Sequence, residues 1–160
     1  MSAEQIVSNL IERFEAKCFL ESPSIKGKQI FLRVDKRCLK GTVEFLKISG
    51  FTHLSAITGL EVADGIELLY HLSNEDTLLT VRVKLSKNEA VAPSIVDLIR
   101  GAAPYEQEIH DFFGVVFEGH LNLASSILPD DWPKDNYPLR KTHAAEKEKT
   151  ENKKSPASSH

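Results

Sequence analysis

No stretch of this chain approaches the roughly twenty consecutive apolar residues that a membrane-spanning helix needs. Direct insertion into a bilayer is therefore not expected, and a membrane would matter only through a partner. Cysteine is scarce: Cys18 and Cys38 are the only two. Neither has a second cysteine or a histidine at metal-ligand spacing, and two thiols cannot supply the four that an iron–sulfur cluster ordinarily takes. The opening MSAEQIVSNLIERFEAK has acids inside its apolar pattern, where a secretory leader would have a continuous apolar core. The two cysteines are accordingly expected as reduced, partly buried thiols in helical segments of a cytoplasmic protein, with a disulfide as the alternative. A basic excess is also missing. The net charge is −3, and no basic stripe interleaves with aromatics, so nucleic acid is not an expected partner.

What is present is one ordinary domain with a polar end. The 160 residues, 41% hydrophobic and 27% charged, suffice for a core without staples. Ile6, Val7, Leu10, Ile11 and Phe14 form one helical stripe over residues 2 to about 20. KQIFLRVD reads as a strand, and Asp35 is placed to cap a helix through KRCLKGTVEFLKIS that stops at Gly50. FTHLSAITGLEV, IELLYHLS and TLLTVRVKL follow as an antiparallel meander, divided by the turn residues of ADG and NED. In the last of these, Val81, Val83 and Leu85 alternate with Arg82 and Lys84, which predicts a sheet with one wet or docked face.

PSIVDLIRGA predicts a helix opening at Pro93 or Ser94 and ending at Gly101. A second helix from about Pro104 to Phe113 carries Tyr105, Ile109, Phe112 and Phe113 on one stripe and stops at Gly114. VVF is extended, and Asn122 could cap a short helix through Leu128. Pro129, Pro133 and Pro138 favour extension beyond it. From His143 onward the chain has almost nothing apolar to bury, the signature of disorder. The expected fold class is α+β: an antiparallel or mixed sheet with helices packed on one face (residues 1–128), an extended proline-rich arm (129–142) and a disordered tail (143–160).

The densest chemistry lies in YEQEIHDFFGVVFEGH, residues 105–120. On a helix Glu106 can meet His110, and Gln107 can meet Asp111. Glu106, His110 and Asp111 could run acid/base chemistry in a stand-alone enzyme, but no nucleophile or electrophile-stabilising group accompanies them. His110, Asp111 and His120 lack the paired spacing of a metal motif. Acids beside two phenylalanines suit a protein interface. Trp132 and Tyr137, in a segment too short for its own core, need a covering surface, either a partner's or this domain's own sheet.

The run PSIVDLIRGAAPYEQEIHDFFGVVFEGHLNLASSIL, with DDW and YPLRK after it, resembles the 30-kilodalton subunit family of respiratory complex I and of related quinone-, methanophenazine- and hydrogenase-linked complexes. GFTHLSAITGLEV and ELLYHLS are similar to the middle of that family. Glu106, Glu108, Asp111, Phe112, Phe113, Gly114, Gly119 and His120 match its motif, and Pro138, Leu139, Arg140 and Lys141 match its close. Gln107 stands where the family has arginine, Leu121 where it usually has proline, and Ala124-Ser125-Ser126 replaces an arginine-containing run. The resemblance implies a chain with no cofactor of its own, in the hydrophilic arm of a complex beside the hydrogenase-large-subunit-like (49-kilodalton-type) subunit and the iron–sulfur subunits. Iron–sulfur clusters and flavin would reside in those partners, on the cytoplasmic face of the membrane. Glu106, Glu108, Asp111, Phe113, Gly114, His120, Trp132, Tyr137, Arg140 and Lys141 would be its scaffold or docking residues. The donor could be NADH, reduced deazaflavin (coenzyme F-420), ferredoxin or hydrogen. The chain's close soon after PLRK resembles archaeal deazaflavin- or hydrogenase-type members.

Overall fold

The computed structural model describes residues 1–123, 128–129, 131–133 and 137–140. Helix α1, Ala3–Arg13, starts from a reciprocal capping box between Ser2 and Gln5 and buries Ile6 and Leu10. It is shorter than the apolar stripe predicts. Phe14 leaves helical geometry and instead packs edge-on against Phe19 and Phe45, with ring centroids 6.5 and 6.2 Å away.

Beyond α1, a 3-10 turn at Ala16–Cys18 leads into a hairpin in which the strand expected from KQIFLRVD forms as β2, Gln29–Arg33, against an unforeseen short strand, β1 Ser24–Lys26. Asp35 accepts from the Arg37 amide and opens a second 3-10 turn, Lys36–Cys38, which runs into α2, Leu39–Ile48. Cys18 and Cys38 are not separate thiols. Their Cα atoms lie 5.7 Å apart and a disulfide joins them. The cause is tertiary: Asp35 N–H donates to Cys18 O, Leu20 N–H donates to Arg33 O, and Phe19 bridges Val34, so residues 18–20 lie antiparallel to 33–35.

The meander forms as predicted: β3 His53–Val62, β4 Gly65–Ser73 and β5 Leu78–Ser86 are antiparallel neighbours. The parallel pairing of β2 with β5 completes a mixed five-stranded sheet in the order β1-β2-β5-β4-β3. Helices cover one face, where Leu68, Tyr70 and Leu72 alternate with the half-buried Leu69 and His71 and are fully buried. The core joins this face to Leu39, Val43 and Leu46 of α2 and to Ile109 and Phe113 of the last helix. On the open face the buried Glu67 is paired with Arg33, which also holds Glu21 at 2.6 Å, and Arg82 stands 3.7 Å away.

The predicted helix over 93–101 does not form. Val91–Pro93 is instead β6, parallel to β7 at Val116–Glu118. Ser94 N–H donates to Glu118 O, and Ile95 N–H is taken by a side chain described below. With those first amides claimed from outside, residues 96–101 close as turns. Gly101 precedes the next helix as its N-cap, and α3 spans Ala102–Phe113. The short helix expected from Asn122 is not seen at residues 121–123, which form a turn, and its remainder falls largely outside the described residues, as does the tail.

Candidate functional site

Helix α3 is amphipathic, yet its polar residues are largely buried. Ile109 and Phe113 press on β3 at Gly59, where an added Cβ would lie 2.6 Å from the Phe113 ring. Tyr105 donates its hydroxyl to Ser55 O at 2.8 Å. This orientation carries Glu106 into the interior at 0% exposure. Its Oε1 accepts from Ile95 N–H at 2.8 Å and its Oε2 from the Ser94 hydroxyl at 2.7 Å. Burial pushes the Glu106 carboxyl above its ordinary range, while the Ile95 amide, the Ser94 hydroxyl and His120 pull the other way. The Tyr70 hydroxyl, also buried, has no hydrogen-bond partner among the described residues. Burial first, and the charge of Glu106 second, push its phenol up.

The two helical pairs expected at four-residue spacing part company. Gln107 does reach Asp111, at 3.1 Å, and both are buried. The Gln107 amide also donates to Leu123 O at 3.2 Å, so it makes more than one weak surface contact and ties the segment after β7 to α3. Glu106 turns to Ser94 and Ile95, whereas His110 donates from Nδ1 to Val115 O at 2.8 Å. His120 accepts the Asn122 N–H on Nδ1 at 3.1 Å and donates from Nε2 to Ala103 O at 3.1 Å. Glu108 is exposed.

At the end of α3, Gly114 takes the left-handed conformation, φ 75°, and its N–H caps His110 O. The Tyr137 ring covers it so closely that a Cβ there would lie 2.5 Å from ring atoms. Leu139 N–H donates to Phe112 O at 3.1 Å, and Arg140 Nε donates to Phe113 O at 2.7 Å. The Arg140 guanidinium also stands 5.1 Å from the centre of the Tyr137 ring. The far end of the proline-rich arm therefore closes the C-terminus of α3 in this chain. Trp132 is half-buried, and Lys141 and Ala124 lie outside the described residues.

What this arrangement does is hold segments together. Both oxygens of Glu106 are engaged, and the groups on α3 point to different partners instead of converging on one reacting atom. Among the described residues, no three His, Cys, Asp or Glu side chains gather to hold a metal ion, and no helix is long and apolar enough to cross a membrane. Sequence reasoning missed Ser94, Gly59 and Tyr70. Only Gly59, a glycine within a strand, carried a local sign of close approach.

Known proteins are similar to this chain in sequence and in fold. The chain is 35% identical over 97 residues to the C component of the NADH-quinone oxidoreductase of Chloroherpeton thalassium, a match covering 58% of this chain and 40% of that one. It is 30% identical over 151 residues to the C component of the F(420)H(2) dehydrogenase of Methanosarcina mazei, covering 89% and 92%. Against the C/D component of the NADH-quinone oxidoreductase of Methylococcus capsulatus it is 30% identical over 158 residues, covering 89% of this chain but only 26% of that protein. It thus spans less than half of the first relative's length and about a quarter of the third's. A chain of the membrane-bound sulfane sulfur reductase, an archaeal respiratory membrane complex, superposes with TM-score 0.79 at 28% identity over 92% of this chain and 91% of that one. The trypsin-resistant fragment of Nqo5 shares the fold, with TM-score 0.60 at 24% identity over 72% and 97%. Residues 32–149 match the family described as respiratory-chain NADH dehydrogenase, 30 Kd subunit, and the chain belongs to that family of complex I-like oxidoreductase subunits.

Proposed function

We propose that this chain is a non-catalytic structural subunit in the hydrophilic arm of a membrane-associated, complex I-like oxidoreductase. It sits beside the subunit related to hydrogenase large subunits and near the iron–sulfur subunits, peripheral on the cytoplasmic face. Electrons travel through iron–sulfur centres, and flavin where present, in those other polypeptides to a quinone- or methanophenazine-type acceptor, coupled to ion translocation. The observation that carries this reading is the use made of the motif: Glu106, Gln107, His110 and His120 each hold another segment of the same chain. The C/D name of the Methylococcus capsulatus relative supports a seat beside the D polypeptide. Glu108, which is exposed on α3, the half-buried Trp132, and Lys141 are the residues proposed for partner contact.

The test is purification of the tagged full chain from its native membranes in mild detergent, with the companions identified by mass spectrometry. Stoichiometric large and iron–sulfur subunits are expected. A chain that travels alone and turns over a substrate by itself would sink the proposal.

A further inference from the structure

The disulfide sits where three pieces of the N-terminal third meet. Cys18 ends the 3-10 turn after α1, and Cys38 ends the 3-10 turn that runs into α2, with the β1–β2 hairpin enclosed between them. The bond therefore ties the exit of α1 to the entrance of α2. The two sulfurs differ in access. Cys18 is 7% exposed, whereas Cys38 is half-buried and is the N-cap of α2, at the amide-rich start of that helix, while Arg37 is held by Asp35 and Lys36 by Val91 O. Such surroundings favour a thiolate. The ladder of residues 18–20 on 33–35 consists of backbone hydrogen bonds and does not depend on the sulfurs. It keeps both cysteines at high effective concentration once the bond is broken.

We propose that Cys18–Cys38 is a reversible redox clasp on the N-terminal third, opened and closed through Cys38. In opening, an external thiolate attacks Cys38 Sγ, the S–S bond breaks, and Cys18 leaves as a thiolate that takes a proton from water. A second thiolate attacks the adduct sulfur, departs as the external disulfide, and leaves Cys38 as a thiol. The two electrons gained by the cysteine pair come from the two external thiols. In closing, the Cys38 thiolate attacks an external disulfide and forms a mixed disulfide, which Cys18 then resolves. This inference stands independently of the proposed structural role.

The test uses the full chain with glutathione. Protein reduced with dithiothreitol and desalted is incubated with oxidised glutathione, and thiols are counted by alkylation after denaturation. Both thiols are expected to disappear again, with any trapped glutathione mapped by peptide mass to Cys38. In Cys18→Ser the remaining Cys38 should react with a thiol reagent about tenfold faster than the remaining Cys18 does in Cys38→Ser. Thiols that stay free, or a glutathione adduct on Cys18, would overturn the proposal. The adduct is mapped in the unmutated chain, so the outcome holds even if a serine variant folds poorly.

Discussion

The guanidinium Nε of Arg140 lies 2.7 Å from the carbonyl oxygen of Phe113, across 27 positions of sequence. A cation thus stands at the negative end of α3 and satisfies a carbonyl that the helix itself cannot. Arg140→Ala should therefore lower the stability of the isolated chain by about 1–2 kcal/mol, the range for a charge-assisted bond that is half-buried. Arg140→Lys should recover part of the loss. Urea melts decide it, and an unchanged midpoint in Arg140→Ala would show that this contact contributes nothing to folding.

Trp132 belongs to the same arm and tests its other end. If it serves a partner surface, Trp132→Ala should leave the isolated chain's melting temperature nearly unchanged while the yield of co-purified complex falls. If it serves this domain's core, the variant should cost about 3–5 kcal/mol of folding stability.

Gly114 combines a left-handed backbone with a ring laid against its Cα. Gly114→Ala should cost about 1–3 kcal/mol from the backbone alone, with the Tyr137 collision added. In Gly114→Ala/Tyr137→Ala the collision is gone, so the double variant should lose less than the sum of the single losses. Additive losses would show that ring and glycine act independently.

Glu106 gives a pH signature. Its folded pKa is raised, so its contribution to stability is full below the ordinary carboxylate pKa of the unfolded chain and is lost as pH rises through the folded value. Glu106→Gln removes that titration. Its stability should fall less steeply than the parent's as pH rises from about 4.5 towards neutrality. Parallel slopes for parent and variant across that window would mean that Glu106 does not titrate differently on folding.

The isolated chain should contain neither iron nor flavin, and prolonged chelation should leave its melting curve unchanged. Elemental analysis and an absorption spectrum check the first, and calorimetry the second. A stoichiometric metal would contradict the reading of Cys18 and Cys38 as cross-link partners.

Much of the architecture is legible in the sequence because periodicity is local. The meander, α2, the C-terminal end of α3 and its stop at Gly114 all follow from alternation, helical stripes and turn residues within short windows. The failures share a cause. PSIVDLIRGA has a respectable helical pattern, but Glu106 and Glu118 claim its first amides from elsewhere in the chain, and no window over 93–101 contains either residue. Phe14 extends the α1 stripe on paper and is drawn off it by the rings of Phe19, beyond the helix end, and of the distant Phe45. The cysteine pair is brought together by a ladder between residues 18–20 and 33–35, which cysteine spacing does not encode. At the site, the family motif draws attention to Glu106 and His120 but gives no sign of what they hold. Ser94 is an unremarkable serine until α3 is docked above it.

Strand β5 lies between β2 and β4, so the sheet is joined across its middle by one of its later-made strands. During synthesis β3 and β4 can zip as a hairpin as soon as they leave the ribosome, whereas residues 29–33 must wait for residues 78–82. Until then the fully buried Ile30 and Leu32 have no strand to cover them on that side. The N-terminal third of a nascent chain stopped short of β5 thus leaves those side chains uncovered, and stalled chains released before and after residue 86 should differ sharply in protease resistance.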